Sequence, residues 1–288
     1  MELLPEKYSY KVIGIIMATF IDKLNLHDVS KTMFLTMFAR AKETQRERPL
    51  FRDLKAVEIQ KKLEASCETF SYDWKMETGV IIRTVIIDSY VRRFIRTNPN
   101  ALCINIGCGL DTRFFRINNG EIKWYDIDLP EVIALRKQLL EDHRQVKMLG
   151  CNILSKEWIT KIETENRPIL IILEGVLMYF DKKDVKIILD TLCEGFPKST
   201  MIAELLSSKI VGNTSMTKSI ENTGAIYEFG VNSGKELEQI NSHIRFMEEK
   251  NLADYMYLKK SVYRLLSKVS FIRNLSNRIA LFAINSTE

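Results

Sequence analysis

Histidine is scarce in this chain: there are three in 288 residues, and His27, His143 and His243 lie far apart. A zinc site of familiar ligand spacing is thereby excluded. The five cysteines (Cys67, Cys103, Cys108, Cys151 and Cys193) are odd in number, contain no C-x-x-C pair and sit mostly in apolar stretches. That pattern points to buried thiols in a reducing compartment rather than to a disulfide framework. Runs of five or six like charges are also missing, with 42 Lys and Arg interspersed among 37 Asp and Glu. A nucleic-acid-binding tail is therefore not expected. Nor is there a long apolar run. The segment VIGIIMATFI has ten residues (12–21), against about 20 needed to span a bilayer. Its flank carries Glu2, Glu6, Lys7 and Lys11, and no A-x-A cleavage pattern follows, which disfavours a signal peptide. The expectation is a soluble, cytoplasmic protein without a metal, a membrane partner or a nucleic-acid partner.

What is present is enough apolar material for a sizeable core: 46% of the residues are hydrophobic. At about 100–200 residues per domain, the length allows one domain or two. The first hundred residues read as helices. Over 77–97, Val80, Ile81, Val85, Ile87, Val91, Phe94 and Ile95 recur at helical spacing, with Arg83, Asp88, Arg92, Arg93 and Arg96 between them. Pro99 then disfavours helix at Asn98.

From Ala101 the texture changes to short apolar runs separated by amphipathic segments: ALCINI (101–106), EIKWYDI (121–127), QVKML (145–149), ILIIL (169–173) and TMIAEL (200–205). Such runs suit strands covered on both faces, as in the parallel sheets of α/β folds. Two more candidate strands, HIRFME (243–248) and NRIALFAI (277–284), close the chain. Pro130 fits the first turn of a helix whose Val132, Leu135 and Leu139 form an inward stripe. Asp181 fits the cap of another helix, with Phe180 and Val185 as a staple and Gly195 as its C-terminal stop. Between Ser207 and Gly234 the composition turns to Ser, Thr, Asn and Gly, which reads as an inserted loop and helix.

Three strand ends carry the chemistry. The first candidate strand runs into Gly107-Cys108-Gly109-Leu110-Asp111, a turn in which side chains at Gly107 and Gly109 would occupy a ligand's space. The third glycine of a dinucleotide fingerprint would fall at Thr112. Asp111 at this turn argues against a bound diphosphate and for a ligand carrying positive charge. The second strand ends in Asp126-Ile127-Asp128, which places the Asp128 carboxylate to accept hydrogen bonds from both hydroxyls of an adenosine ribose; a solvated pair or a helix cap is the plainer reading. The fourth strand delivers Glu174 directly after five aliphatic residues, a costly position unless the carboxylate meets water, a ligand or an arginine such as Arg83 or Arg113.

GCGLDTRFF (107–115), WYDIDLPEVIALRK (124–137) and LEGVLMYF (173–180), in this order and spacing, resemble the leucine carboxyl methyltransferase family, and within it the bacterial polyketide-type O-methyltransferases. ARAKETQRERPLFRDLKAVEI (39–59) and IRTVIID (82–88) resemble that family's N-terminal region. The resemblance implies a Rossmann-like class I methyltransferase fold of the α/β class. Its mostly parallel sheet would have seven strands, one of them an antiparallel C-terminal strand. A helical cap (1–98) and an S-adenosyl-L-methionine-binding domain (99–288) with an insertion (207–240) would form one catalytic unit.

The resemblance also implies that Arg83 holds the methionine carboxylate, Gly107 lies against the cofactor beside Gly109, Asp128 grips the ribose and Glu174 sits near the amino group. Asn152 and Ile153 occupy the adenine-contacting positions, with Asn152 standing where an Asp is usual. Arg40 or Lys42 would line the site. Tyr179, Tyr227 and His243 are possible acceptor-pocket residues, with an ordinary packed aromatic or surface histidine as the commoner reading of each, and no general base is identified. The leading expectation is O-methylation of a small molecule by direct in-line transfer. Rival readings are a carboxyl methyltransferase acting on a protein C-terminus, a nucleoside-binding protein without catalysis, and a nicotinamide-dependent oxidoreductase.

Overall fold

The computed structural model describes residues 28–63, 74–212, 225–259 and 273–285. The apolar segment 12–21, His27, Cys67 and the insertion's 213–224 lie outside the described residues.

Helices α1 (Asp28–Thr44), α2 (Leu54–Lys62) and α3 (Trp74–Thr97) come first. Strand β1 (Leu102–Ile106), helix α4 (Arg113–Ile117), strand β2 (Lys123–Asp128), helix α5 (Pro130–Leu139), and strands β3 (Val146–Gly150) and β4 (Ile169–Leu173) follow. Helix α6 (Lys182–Gly195) and strands β5 (Thr200–Leu205), β6 (Ile244–Asn251) and β7 (Arg278–Ile284) complete the order. All seven strand segments expected from the sequence form. They build one sheet of order β3-β2-β1-β4-β5-β7-β6, in which β7 runs antiparallel to both its neighbours.

Alternation along the buried strands sends side chains into two layers. Ile104, Ile171, Leu173 and Met201 pack with Val185, Ile188 and Leu192 of α6. Cys103, Leu170, Ile172 and Ile202 pack with Ile82, Ile86, Tyr90 and Val91 of α3. A strand covered on both faces buries every side chain, which is why these runs lack polar alternation. Helix α3 therefore belongs to the sheet's own core, and its middle is buried nearly all round. Arg83 and Asp88, expected among the polar residues of that helix, are turned inward to partners described below.

A third cluster joins Met33, Phe34, Met37 and Phe38 of α1 to Val132, Leu135 and Leu139 of α5. The α5 stripe thus anchors the N-terminal helices. Pro130 opens α5, and Asp181 caps α6 by accepting the Asp184 N–H. Gly195 is the last residue of α6, where the sequence reading put the helix's stop, although it is not in the left-handed region. A Cβ there would lie 2.6 Å from the Ile159 side chain, so the glycine permits close packing.

Register then assembles the strand ends. Ile106 pairs with Ile127 of β2 and with Leu173 of β4. The next residues, Gly107, Asp128 and Glu174, consequently emerge side by side at the C-terminal edge. The sheet order turns at β1 and β4, where open α/β sheets place their ligand crevice.

Candidate active site

A cavity of about 490 Å³ opens at that edge, roofed by α1 and α3. Arg83, Gly107, Gly109, Asp128, Asn152, Ile153 and Glu174 all line it.

The glycine turn is shaped by protein neighbours as well as by the cavity. Gly107 and Gly109 have φ of 63° and 45°, in the left-handed region that glycine adopts without penalty. A Cβ on Gly107 would lie 2.5 Å from Val176 Cγ2, and one on Gly109 would lie 2.9 Å from Met33 Cβ. The steric demand read from the sequence is real, but those side chains would strike Val176 and Met33. The turn's polar groups are also held. Asp128 accepts the Gly109 N–H at 2.7 Å. Arg136 donates to the carbonyls of Gly109 (2.7 Å) and Asp111 (2.8 Å), and Arg40 donates to that of Leu110 at 2.7 Å.

Asp128 accepts a second amide, that of Leu129, at 2.8 Å. Backbone donors rather than a cation hold this carboxylate, and burial pushes its pKa above the ordinary value against the pull of the Gly109 and Leu129 amides. Asp126, two residues earlier, is spent internally on Arg136 and Trp124. The two aspartates are therefore not a solvated pair.

Glu174 lies between two arginines. Its Oε1 is 2.9 Å from Arg83 Nε and its Oε2 accepts from Arg113 Nη2 at 2.6 Å. Burial alone would raise its pKa, but Arg113 and Arg83 hold it below the usual carboxylate range. Arg83 also donates to Glu204 at 3.0 Å, while its buried Nε makes no in-line hydrogen bond. Behind this pair runs a buried chain of charges. Arg113 meets Asp88 (2.7 Å) and Asp111, Arg116 meets Asp88 (2.8 Å) and Asp53 (3.0 Å), and Asp53 meets Arg40 (3.0 Å). Asp111 is thus neutralised by Arg113 and Arg116, and its charge is not free for a ligand as the sequence reading supposed. Asp53, Asp88, Arg116 and Arg136 escaped that reading because their partners lie far away in sequence. The available signal was Asp88 itself, a carboxylate inside the apolar stretch Ile86-Ile87-Asp88.

Of Arg40 and Lys42, Arg40 lines the cavity, whereas the Lys42 side chain is 44% exposed and pairs with Glu77. Asn152 lines the cavity's opposite end, but its Oδ1 accepts the Leu154 N–H at 3.0 Å, so the acceptor expected to face a ligand is turned into its own loop. Tyr179 and Tyr227 also line the cavity, with ring centroids 5.5 Å apart. The extended segment after residue 224 brings Tyr227 there, because the amides of Glu228 and Phe229 bond to the Met178 carbonyl. His243 is elsewhere, in a surface cleft beside Lys186, Asp190 and Cys193.

Glycine turn, acidic second strand end and acidic fourth strand end around one crevice define the class I methyltransferase architecture. A candidate methyltransferase from Thermobifida fusca shares the fold, with a TM-score of 0.56 at 16% identity over 88% of this chain and 94% of its own. The leucine carboxyl methyltransferase family model matches residues 33–193, more than half of the sequence, and the chain belongs to that family. It is 25% identical over 238 residues to the tetracenomycin polyketide synthesis O-methyltransferase TcmP of Streptomyces glaucescens, covering 82% of this chain and 88% of the relative. A second relative is the S-adenosyl-L-methionine-dependent methyltransferase dpfgK of Gibberella zeae, 24% identical over 247 residues, with 78% and 83% coverage. This protein is an S-adenosyl-L-methionine-dependent methyltransferase. Among the described residues, no helix is long and apolar enough to cross a membrane.

Proposed function

We propose that this enzyme methylates an oxygen atom of a small-molecule acceptor, with the cofactor held in the cavity at the ends of β1, β2 and β4. The observation that carries this reading is the convergence there of Gly107, Asp128 and Glu174, set by strand register. The polyketide O-methyltransferase of Streptomyces glaucescens supports oxygen as the accepting atom.

The residues fit such a cofactor. Among the described residues Asp128 accepts from two backbone amides, with accepting capacity left for a pair of ribose hydroxyls. Gly107 and Gly109 bring bare backbone to the cavity wall. Arg83, a cavity-lining guanidinium, is suited to a carboxylate, and Glu174 is held ionised to receive an ammonium. The guanidinia of Arg40, Arg83, Arg113 and Arg116 face the carboxylates of Asp53, Asp88, Asp111, Glu174 and Glu204. Ile153 offers an apolar face, and the Asn152 side chain a polar edge, to a base.

When bound, S-adenosyl-L-methionine supplies an electrophilic methyl group with a good leaving group. The protein's part is to align the acceptor and exclude water, and positioning alone can supply roughly 7–11 kcal/mol of a barrier. Burial holds the Tyr179 and Tyr227 hydroxyls protonated well beyond neutral pH. Hydrogen-bonded to each other, they offer an acceptor oxygen a hydrogen-bond donor and not a base. The site thus suits an acceptor that ionises unaided, such as a carboxylic acid or an acidic phenol. Residues 1–98 and 99–288 would act as one catalytic unit. The Cys103, Cys108, Cys151 and Cys193 thiols are free, which supports the reducing cytoplasm as its compartment.

Incubation with methyl-labelled cofactor and a panel of aromatic acids and phenols tests the reading. Label transferred to small acids or phenols is expected. Label carried only by peptide C-termini would contradict it.

A further inference from the structure

Arg113 is buried to 1% exposure and is not a cavity-lining residue, yet its guanidinium reaches three carboxylates from three parts of the fold. Nε meets Asp88 of α3 at 2.7 Å, Nη1 meets Asp111 of the glycine turn, and Nη2 meets Glu174 at the end of β4 at 2.6 Å. Two of those carboxylates, Asp111 and Glu174, line the cavity. A planar fork with five donors can satisfy such an arrangement, and an ammonium cannot. Asp88 is in turn held by Arg116 at 2.8 Å, so the fork is oriented from behind.

We propose that Arg113, oriented by Asp88, is a positioning residue that fixes the Glu174 carboxylate in place for the cofactor's amino-acid end, with Asp111 held beside it as a further anchor of the fork, and ties the seating of the cofactor to α3. This rests on the cofactor reading given above. The role differs from mere support of the fold because it sets the ionisation of Glu174. The groups facing Glu174 are Arg83 from α3, Arg113 from α4, Asp111 from the glycine turn and Arg40 from α1. Glu204 of β5, Tyr179 and Tyr227 lie beyond Arg83. Of the two guanidinia in contact with Glu174, Arg83 is shared with Glu204. Loss of the Arg113 fork leaves Glu174 and Asp111 as neighbouring carboxylates with weakened compensation, and a proton is then taken up at higher pH.

The test is titration of S-adenosylhomocysteine and S-adenosylmethionine into the wild type, Arg113→Lys and the charge-balanced double variant Arg113→Gln/Asp88→Asn, between pH 5.5 and 8, with thermal unfolding followed in parallel. Arg113→Lys keeps the charge and loses the fork, and the double variant removes one charge of each sign should the lysine variant not fold. The expected result is a wild-type affinity that is flat across this range. The variants should bind about ten- to a hundredfold more weakly at pH 7, the scale of one charge-assisted hydrogen bond, and lose further affinity toward pH 5.5. Folded variants with wild-type affinity, or with weakened affinity but a flat pH profile, would overturn the positioning role. A wild type that binds neither ligand would overturn the cofactor reading instead.

Discussion

The Asp128 carboxylate accepts the Gly109 backbone N–H at 2.7 Å, which makes the acidic end of β2 and the glycine turn after β1 a single bonded unit. A ligand touching Asp128 therefore touches a group whose position the turn controls, and the reverse holds as well.

Asp128→Asn and Asp128→Ala should separate these two duties. Asn retains one accepting oxygen, and because the buried carboxylate is costly to ionise, its stability should match the wild type within about 1 kcal/mol. Ala leaves the Gly109 and Leu129 amides without their acceptor and should cost about 1–3 kcal/mol. Denaturant unfolding measures both. Equal losses for the two variants would mean that the bonds to the turn contribute nothing.

Gly107→Ala places a methyl group 2.5 Å from Val176 Cγ2 at a φ of 63°. Overpacking and left-handed strain together should cost about 2–4 kcal/mol. Adding Val176→Ala should recover part of that loss, since it removes the clash and leaves the backbone strain. No recovery in the double variant would show that strain alone sets the cost.

Acid should unfold the protein through its buried carboxylates. Burial would raise the pKa values of Asp88, Asp111 and Glu174, but arginines outweigh it and hold all three low. Their stabilisation is present above the unfolded-state value near 4 and is lost as pH falls through and below it. Asp128 works in the opposite sense, because its raised pKa relieves a burial cost on protonation. Asp88→Asn should be less stable than the wild type at pH 7 by about 3–5 kcal/mol, the cost of breaking a buried pair, and its stability should fall less steeply between pH 5 and 3. Parallel slopes would contradict the assignment.

Tyr227→Phe removes a phenol that lines the cavity. Acceptor KM should rise about three- to tenfold, the worth of one neutral hydrogen bond, while cofactor affinity stays within about twofold. A selective loss of cofactor affinity would place Tyr227 on the wrong side of the site.

Much of the sheet was legible because strands buried on both faces lack polar alternation, so 169–173 stands out as an unbroken apolar run and 101–106 as one interrupted only by Asn105. The strand ends were legible for the same reason: Glu174 is conspicuous after Ile169–Leu173. What stayed hidden is long-range pairing. Glu174 could be matched to Arg83 or Arg113 from the sequence, and the structure uses both. Arg40 and Lys42 lie two positions apart on a helix, on nearly opposite faces, and only the packing of α1 shows which face is inward. The cap residue Asp53 meets Arg116 across 63 positions, and no periodicity records such a contact. His243, a surface histidine on the commoner reading, lies just before the edge strand β6 and away from the ligand crevice, a distinction that nothing local in the sequence records.

The central claim, that the cavity joining Asp128, Gly107 and Glu174 is the cofactor site, is tested most directly by a crystal structure of the chain with S-adenosylhomocysteine. The ribose hydroxyls should lie within hydrogen-bond distance of the Asp128 carboxylate, with the amino-acid end between Arg83 and Glu174. A product molecule bound outside this cavity, or inside it with its ribose away from Asp128, would contradict the account.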